Sequence, residues 1–251
     1  MYNNLKIPNA VVLILGTFAV IVPSVNTQEP NAQLTPCKLN DPNNGPCLRN
    51  LLQNLLLSST IKNPIDPYKI KKARVTVDNP SIQLNMDLTK VVISGLSLAT
   101  LNDVSVNNSE HFVLKVKIPK VHITGNYVMD GRVLLLNLAG KGVFKVDFND
   151  IDAVFTLMAK VVDREGERYF NIESLKSHIK HLGNLHVDFA NLFGNNQALT
   201  DSANDLFNQN WRDLIEIMRP VIEESMDTSI RAQANRIFGN IPAGSIILDA
   251  K

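Results

Sequence analysis

Residues 182–211 read LGNLHVDFANLFGNNQALTDSANDLFNQNW, and this stretch decides the fold. Its first part alternates. Leu185, Val187 and Phe189 fall on one side of an extended chain, His186 and Asp188 on the other. The strand signal ends at Asn191-Leu192-Phe193, and Gly194-Asn195-Asn196 is turn chemistry. A helical pattern then runs without an obvious stop to about Phe238. Phe207, Trp211, Leu214, Met218, Val221, Ile222, Met226, Ile230 and Ile237 recur as one apolar stripe. Thr200 or Ser202 is placed to cap this helix, with Asp201 and Asp205 near its positive end. Unbroken, it would span roughly 50–60 Å. Pro220 lies inside it and predicts either a bend or a junction of two helices. In a chain of 251 residues, most of the remaining protein is needed to cover such a stripe.

That remainder reads as strands. Ile82, Leu84, Met86 and Leu88 alternate with Gln83, Asn85 and Asp87, which wets one face and buries the other. Phe112, Leu114, Val116 and Ile118 repeat the pattern against Lys115 and Lys117. Leu134 to Leu138, including Leu136, is apolar on both faces apart from Asn137. Phe144, Val146 and Phe148 follow, then Ile151, Ala153, Phe155, Leu157 and Ala159. Gly125, Gly131, Gly140, Gly142 and Gly166 mark turns, bulges or close backbone approaches, and Asp163-Arg164-Glu165-Gly166-Glu167 is a charged hairpin tip. Long strands joined by hairpins exclude a doubly wound nucleotide-binding sheet. The tail, Ile241-Pro242-Ala243-Gly244-Ser245-Ile246-Ile247-Leu248, reads as a last extended segment.

The amino end carries an address rather than a fold. Lys6 supplies a thin positive region, Val11 to Val22 an apolar run, and residues 23–27 a cleavage region. The run is too short to span a bilayer. We therefore expect a signal peptide over residues 1–27 and one secreted domain over 28–251, with no integral membrane association. Without Lys6, 24 basic residues remain against 24 acidic ones. A near-neutral mature chain is no basis for a nucleic-acid partner. In an oxidising compartment Cys37 and Cys47 read as one disulfide around a loop rich in turn formers. Pro46 opens a short helix carrying Leu48, Leu51, Leu52, Leu55 and Leu56, which ends near Ser58-Ser59-Thr60. The sequon Asn107-Asn108-Ser109 lies between strand patterns and predicts glycosylation of Asn107 on the surface.

Chemistry is sparse. His178, His181, His186 and Asp188 fit no standard zinc spacing, and a solvated strand face accounts for His186 and Asp188. Gly140-Lys141-Gly142 lacks the length and the Lys-Ser/Thr ending of a phosphate loop and reads as a bulge between strands. No nucleophile elbow or Ser/His/Asp grouping stands out, so an enzyme is not expected, and neither a metal nor a cofactor. Apolar surface remains. Leu84, Met86, Phe112, Leu114, Val116, Tyr127, Leu136, Phe155, Leu157, Phe207, Trp211, Met218 and Ile222 are the candidates to line a cavity, although each also serves as plain core. Burying a chain of about ten to fifteen methylenes would gain roughly 8–12 kcal/mol gross, of which association entropy takes back a large share.

These residues resemble the insect takeout and haemolymph juvenile-hormone-binding protein family. The similarity runs through Cys37…Cys47-Leu48 with its Leu-rich helix, Ile65-Asp66-Pro67, and Ser94-Gly95-Leu96-Ser97. It continues in Ile118-Pro119 through Gly125-Asn126-Tyr127 to Gly131, then Gly140-Lys141-Gly142, Asn191-Leu192-Phe193 and Asn208-Gln209-Asn210-Trp211. The stretch from Ser58 to Asn63 departs from the family in lacking its usual glycine and looking short. The resemblance implies an α+β fold, the tubular lipid-binding or super-roll architecture. In it a long carboxy-terminal helix is wrapped by a long, highly curved antiparallel sheet. It implies a secreted carrier of a small hydrophobic ligand (a juvenile-hormone-like terpenoid, a fatty acid or another long-chain lipid) held in an internal apolar tunnel, with roles in feeding, circadian or chemosensory physiology. An extracellular or membrane receptor is a candidate partner. The alternative is a secreted interaction or signalling factor with no ligand-filled cavity.

Overall fold

A computed structural model describes residues 35–57, 66–78, 80–107, 110–133 and 135–249. Helix α1 (Asn44–Leu57) is followed by strands β1 (Tyr68–Asp78), β2 (Ile82–Ser94), β3 (Thr100–Asn107), β4 (His111–Val133), β5 (Leu136–Arg164) and β6 (Glu167–Phe189). Helices α2 (Gln197–Gln209) and α3 (Trp211–Phe238) close the chain. The strands form one antiparallel sheet in the order β1-β2-β4-β5-β6. β2 and β3 lie end to end along the same side of β4: β3 pairs with residues 111–117 and β2 with residues 122–133. The sheet is long and curved, with the terminal helices against it, as the α+β reading requires. At about 3.3 Å per residue the 29 residues of β5 extend for roughly 95 Å.

Several local expectations are corrected. The two apolar sets Phe144–Phe148 and Ile151–Ala159 belong to one strand. Its alternation changes phase at Asn149-Asp150, where Asp150 takes a φ of 53°. The apolar run over residues 134–138 is interrupted, since Leu135 lies in a turn and β5 begins only at Leu136. A hairpin turn separates Val133 from Leu136, and Leu135 at its tip is 94% exposed. Gly140 and Gly142 lie in regular register with Met129 and Tyr127, not in a bulge. A Cβ on Gly142 would meet the Ala190 carbonyl oxygen at 2.3 Å, and one on Gly140 the Asn191 oxygen at 2.8 Å. The glycines let the turn after β6 lie directly on the sheet. That turn begins after Phe189, earlier than the Leu192-Phe193 signal, because Leu192 is needed as a fully buried plug.

The long helix breaks at Asn210 rather than Pro220. Asn210 donates from both its backbone and its side chain to the Leu206 carbonyl, at 3.1 and 2.8 Å, and so ends α2. Pro220 is exposed inside α3, where solvent can hydrate the carbonyl one turn back that it leaves unpaired. The cap of α2 is Asn196, whose Oδ1 accepts from the Leu199 amide at 3.1 Å, not Thr200 or Ser202. Thr200 is buried and its Oγ1 accepts from the Phe193 amide.

The carboxy-terminal tail is not a strand. It forms a short 3-10 turn at Ala243–Ser245 and single bridges from Ile247 to Cys37 and from Pro242 to Tyr169. Cys37 and Cys47 are disulfide-bonded, and Cys37 exchanges backbone hydrogen bonds with Ile246 and Leu248. The bonded loop and the tail therefore brace one another at one end of the sheet. The Glu165-Gly166 hairpin tip is as read, with Asp163 accepting from the Gly166 amide. Residues 1–27 and the departure at residues 58–63 lie outside the described residues.

Candidate ligand-binding interior

Helices α2 and α3 are held by side chains that complete the backbone ladder of β6, the free end of the sheet: Asn204 and Asn208 come from α2, the rest from α3. Asn204 accepts from the Phe189 amide and donates to its carbonyl, both at 3.0 Å. Asn208 does the same at Val187, at 2.8 and 2.9 Å, and Asn235 at Ile172, at 2.6 and 3.0 Å. Between them Glu223 accepts from the Ile179 amide at 2.9 Å and Asp227 from the Ser177 amide at 2.6 Å. Arg219 donates to the Ile179 carbonyl and Arg231 to that of Glu173. Four helical residues rise about 6 Å and two strand residues about 6.6–6.8 Å. A helix polar at every fourth position can therefore follow every second residue of an antiparallel strand. An unpaired strand edge invites association with another chain, and here the helix occupies it.

With that polar stripe turned to the edge, the apolar stripe of α3 faces the sheet's inner surface. The thirteen candidate lining residues do not form one cluster. Phe112, Leu114, Val116, Phe155 and Leu157 gather with α1 and the tail at the disulfide end. Leu84, Met86, Tyr127, Leu136, Phe207 and Met218 gather at the opposite end. Trp211 packs with Ile215 and Leu185, and Ile222 reaches both that group and the central one around Val121, Ile151 and Ile179. Leu84, Phe112, Val116, Tyr127, Phe207 and Trp211 are buried, whereas Met86, Leu114, Leu136, Phe155, Leu157, Met218 and Ile222 are half-buried.

The central group adds inward residues that strand periodicity had not singled out as lining: Ile118, Ile123, Phe148 and Leu182, with Met226 from the helix. All five are half-buried. Of the 28 residues of α3, two are buried, Trp211 and Ile215. A helix that lay on a close-packed sheet would bury its whole stripe. Here the stripe keeps accessible surface along most of its length.

Buried polar groups are few among the described residues, and both buried polar side chains are committed. Ser177 donates from Oγ to Asp227 or the Glu223 carbonyl, and Thr200 serves the Phe193 amide. The Tyr127 hydroxyl donates to the Ala190 carbonyl at 2.7 Å, and burial pushes its pKa up to about 12. Tyr127 is therefore a neutral strut that fastens the turn after β6 to the sheet. No grouping of three or more His, Cys, Asp or Glu with metal-binding geometry occurs among the described residues. His178 bonds to Glu223 through Nδ1 at 3.1 Å, His181 faces Asp150, and His186 and Asp188 are exposed. Asn107 is exposed at the end of β3. No helix among the described residues is long and apolar enough to cross a membrane.

Comparison with known proteins agrees with this geometry. Residues 11–248 match the family described as haemolymph juvenile hormone binding protein (JHBP). The chain is 30% identical over 190 residues to the circadian clock-controlled protein daywake of Drosophila yakuba, covering 71% of this chain and 72% of that one. It is 32% identical over 125 residues to the daywake protein of Drosophila melanogaster, covering 49% and 48% of the two chains. The crystal structure of Epiphyas postvittana Takeout 1 superposes with a TM-score of 0.73 at 20% identity, covering 84% of this chain and 98% of that one.

Proposed function

This chain belongs to the haemolymph juvenile hormone binding protein family, and we propose that it is a secreted carrier holding a small hydrophobic ligand between α3 and the inner face of the sheet. The carrying observation is the half-buried apolar stripe of α3 facing the half-buried central residues Ile118, Ile123, Phe148 and Leu182. Apolar surface turned inward yet left accessible is what a removable apolar occupant needs. The commitment of Ser177 and Thr200 to structural bonds favours an occupant recognised by shape and apolarity, such as a terpenoid or a long-chain lipid. Secretion is supported by the signal-like residues 1–27 and by the Cys37–Cys47 disulfide, and the exposed Asn107 is a candidate glycan site. The role is binding rather than catalysis.

The test is native mass spectrometry of the secreted protein purified without detergent, followed by organic extraction. One hydrophobic molecule per chain, carried through purification or taken up from terpenoid and fatty-acid panels, supports the carrier reading. A mass that stays that of the bare chain throughout overturns it. A second reading, contact with another extracellular protein or a receptor, rests on Leu135, 94% exposed at the β4–β5 tip. Under that reading a Leu135→Ser variant loses its partner and keeps its lipid uptake.

A further inference from the structure

The outer surface of the β1–β2 edge concentrates positive charge in a chain whose net charge is +1. In β1 the residues Ile70, Ala73, Val75 and Val77 turn inward, which leaves Lys71 and Lys72 as consecutive outward residues. The paired strand does the same. Leu88 and Val91 turn inward, leaving Thr89 and Lys90 outward, with Lys90 at a φ of 52°. The register, Ile70 with Val91 and Lys72 with Thr89, sets Lys71 across from Lys90. Lys69 and Arg74 extend the row at either end, and all five cations are exposed. The one carboxylate within the patch, Asp87, is taken by Arg74 at 2.6 Å. Among the described residues Lys69, Lys71, Lys72 and Lys90 make no ion pair.

Blunting an open sheet edge explains a lysine or two on β1, which pairs with β2 alone. It does not explain Lys90 on the second strand. Nor does it explain like charges set across from one another, an arrangement that destabilises a sheet unless something neutralises it. The row from Lys69 to Arg74 runs for about 17 Å along a straight strand. Among the described residues none of the exposed large hydrophobic side chains belongs to β1 or β2; Val128 of β4, across from Asp87, borders the patch, and a single valine gives a bilayer little to insert. A linear hydrophilic polyanion fits better. Short lysine- and arginine-rich runs serve such ligands by charge.

We propose that Lys69, Lys71, Lys72, Arg74 and Lys90 form a binding site for a sulfated extracellular polysaccharide, so that the protein is retained on cell-surface or matrix glycans. The inference rests on the secretion part of the proposed function and is independent of the ligand inside. Sulfate groups lying along β1 neutralise Lys71 and Lys90 together, and the interaction weakens with salt because every contact is exposed.

The test uses the full secreted chain and a heparin octasaccharide as probe, with calorimetry at physiological and doubled ionic strength. A Lys71→Gln, Lys72→Gln, Lys90→Gln variant should bind at least about tenfold more weakly, because each lysine at an anionic surface is worth about fivefold. A control that removes three exposed cations elsewhere, Lys38→Gln, Lys141→Gln and Lys180→Gln, should stay close to wild type. Equal binding by the patch variant overturns the proposal. So does equal binding of desulfated octasaccharide, poly-glutamate or phosphatidylserine vesicles, and so does absence of octasaccharide binding. Whether the chain reaches the culture medium is read separately, so a failure of secretion is distinguished from a failure of the patch.

Discussion

The side-chain amide of Asn208 pairs with both backbone groups of Val187, accepting from its amide at 2.8 Å and donating to its carbonyl at 2.9 Å. One helical side chain thus stands in for a neighbouring strand. Asn204 and Asn235 repeat the contact at Phe189 and Ile172. Replacing Asn208 with Leu keeps the volume and removes both bonds, leaving two half-buried backbone groups without a partner. We expect a loss of about 2–3 kcal/mol in urea unfolding. A loss under about 0.5 kcal/mol would mean that the edge is satisfied by water instead.

The acidic members of the same ladder set a pH dependence. Burial of Asp227 alone would raise its pKa, but the Ser177 hydroxyl and amide and the Lys176 ammonium outweigh it and hold the carboxyl below the usual 3.8. The Asp66 carboxyl is likewise lowered, against its burial, by the Ser97 hydroxyl and the Ser97 and Gly95 amides. A lowered pKa means that the unfolded chain takes up the proton first. The stabilisation is complete above 3.8 and drains away as the pH falls through the lower folded value. The gap in urea midpoint between wild type and Asp227→Asn should therefore be widest near neutrality and close on acidification below about pH 4. A gap independent of pH would show that Asp227 acts by packing alone.

The glycines of β5 permit a contact rather than a turn. In Gly142→Ala the new Cβ would meet the Ala190 carbonyl oxygen at 2.3 Å, a backbone atom that cannot swing aside. We expect a destabilisation of about 1–3 kcal/mol by thermal denaturation. Gly166→Ala, where no atom lies within 4 Å, has no such clash and costs only the strain of a φ of 86°. Equal effects at the two positions would contradict the close-approach account.

Ile222 sits where the central and Trp211 groups meet. If the space beside it holds a ligand, Ile222→Trp fills that space, leaves the melting temperature of the ligand-free protein near wild type, and lowers lipid uptake at least several-fold. A close-packed interior responds in the opposite way. The indole overpacks it, stability falls by about 1–3 kcal/mol, and uptake is absent in both proteins. Thermal scans beside a fluorescent-lipid titration separate the two.

Much of this was legible in the chain. Period-two runs such as Ile82–Leu88 marked the strands, and the stripe from Phe207 to Ile237 marked the helices. Other features were visible only as separate fragments. Asp66 before Pro67 and the Ser94-Gly95-Leu96-Ser97 turn looked unrelated, yet the Asp66 carboxylate accepts from the Gly95 amide at 3.0 Å and the Ser97 hydroxyl at 2.6 Å. Gly140-Lys141-Gly142 and Asn191-Leu192-Phe193 were likewise two motifs and are one contact. The i, i+4 recurrence of Arg219, Glu223, Asp227, Arg231 and Asn235 was present in the sequence, but only a strand edge alongside gives it meaning.

By itself, then, the sequence determined the local states: which segments extend, which coil, and which face of each is apolar. Those follow from side-chain periodicity and backbone preference, which act within a few residues. The tertiary structure decided how the faces meet. It set the break at Asn210 rather than Pro220, the joining of the two β5 segments through Asp150, and the division of thirteen lining candidates between two ends and a middle. Such outcomes depend on contacts between residues far apart in the chain, where the matching rise of helix and strand and the hydrogen bonds left open at an edge choose among arrangements that the local pattern leaves equivalent.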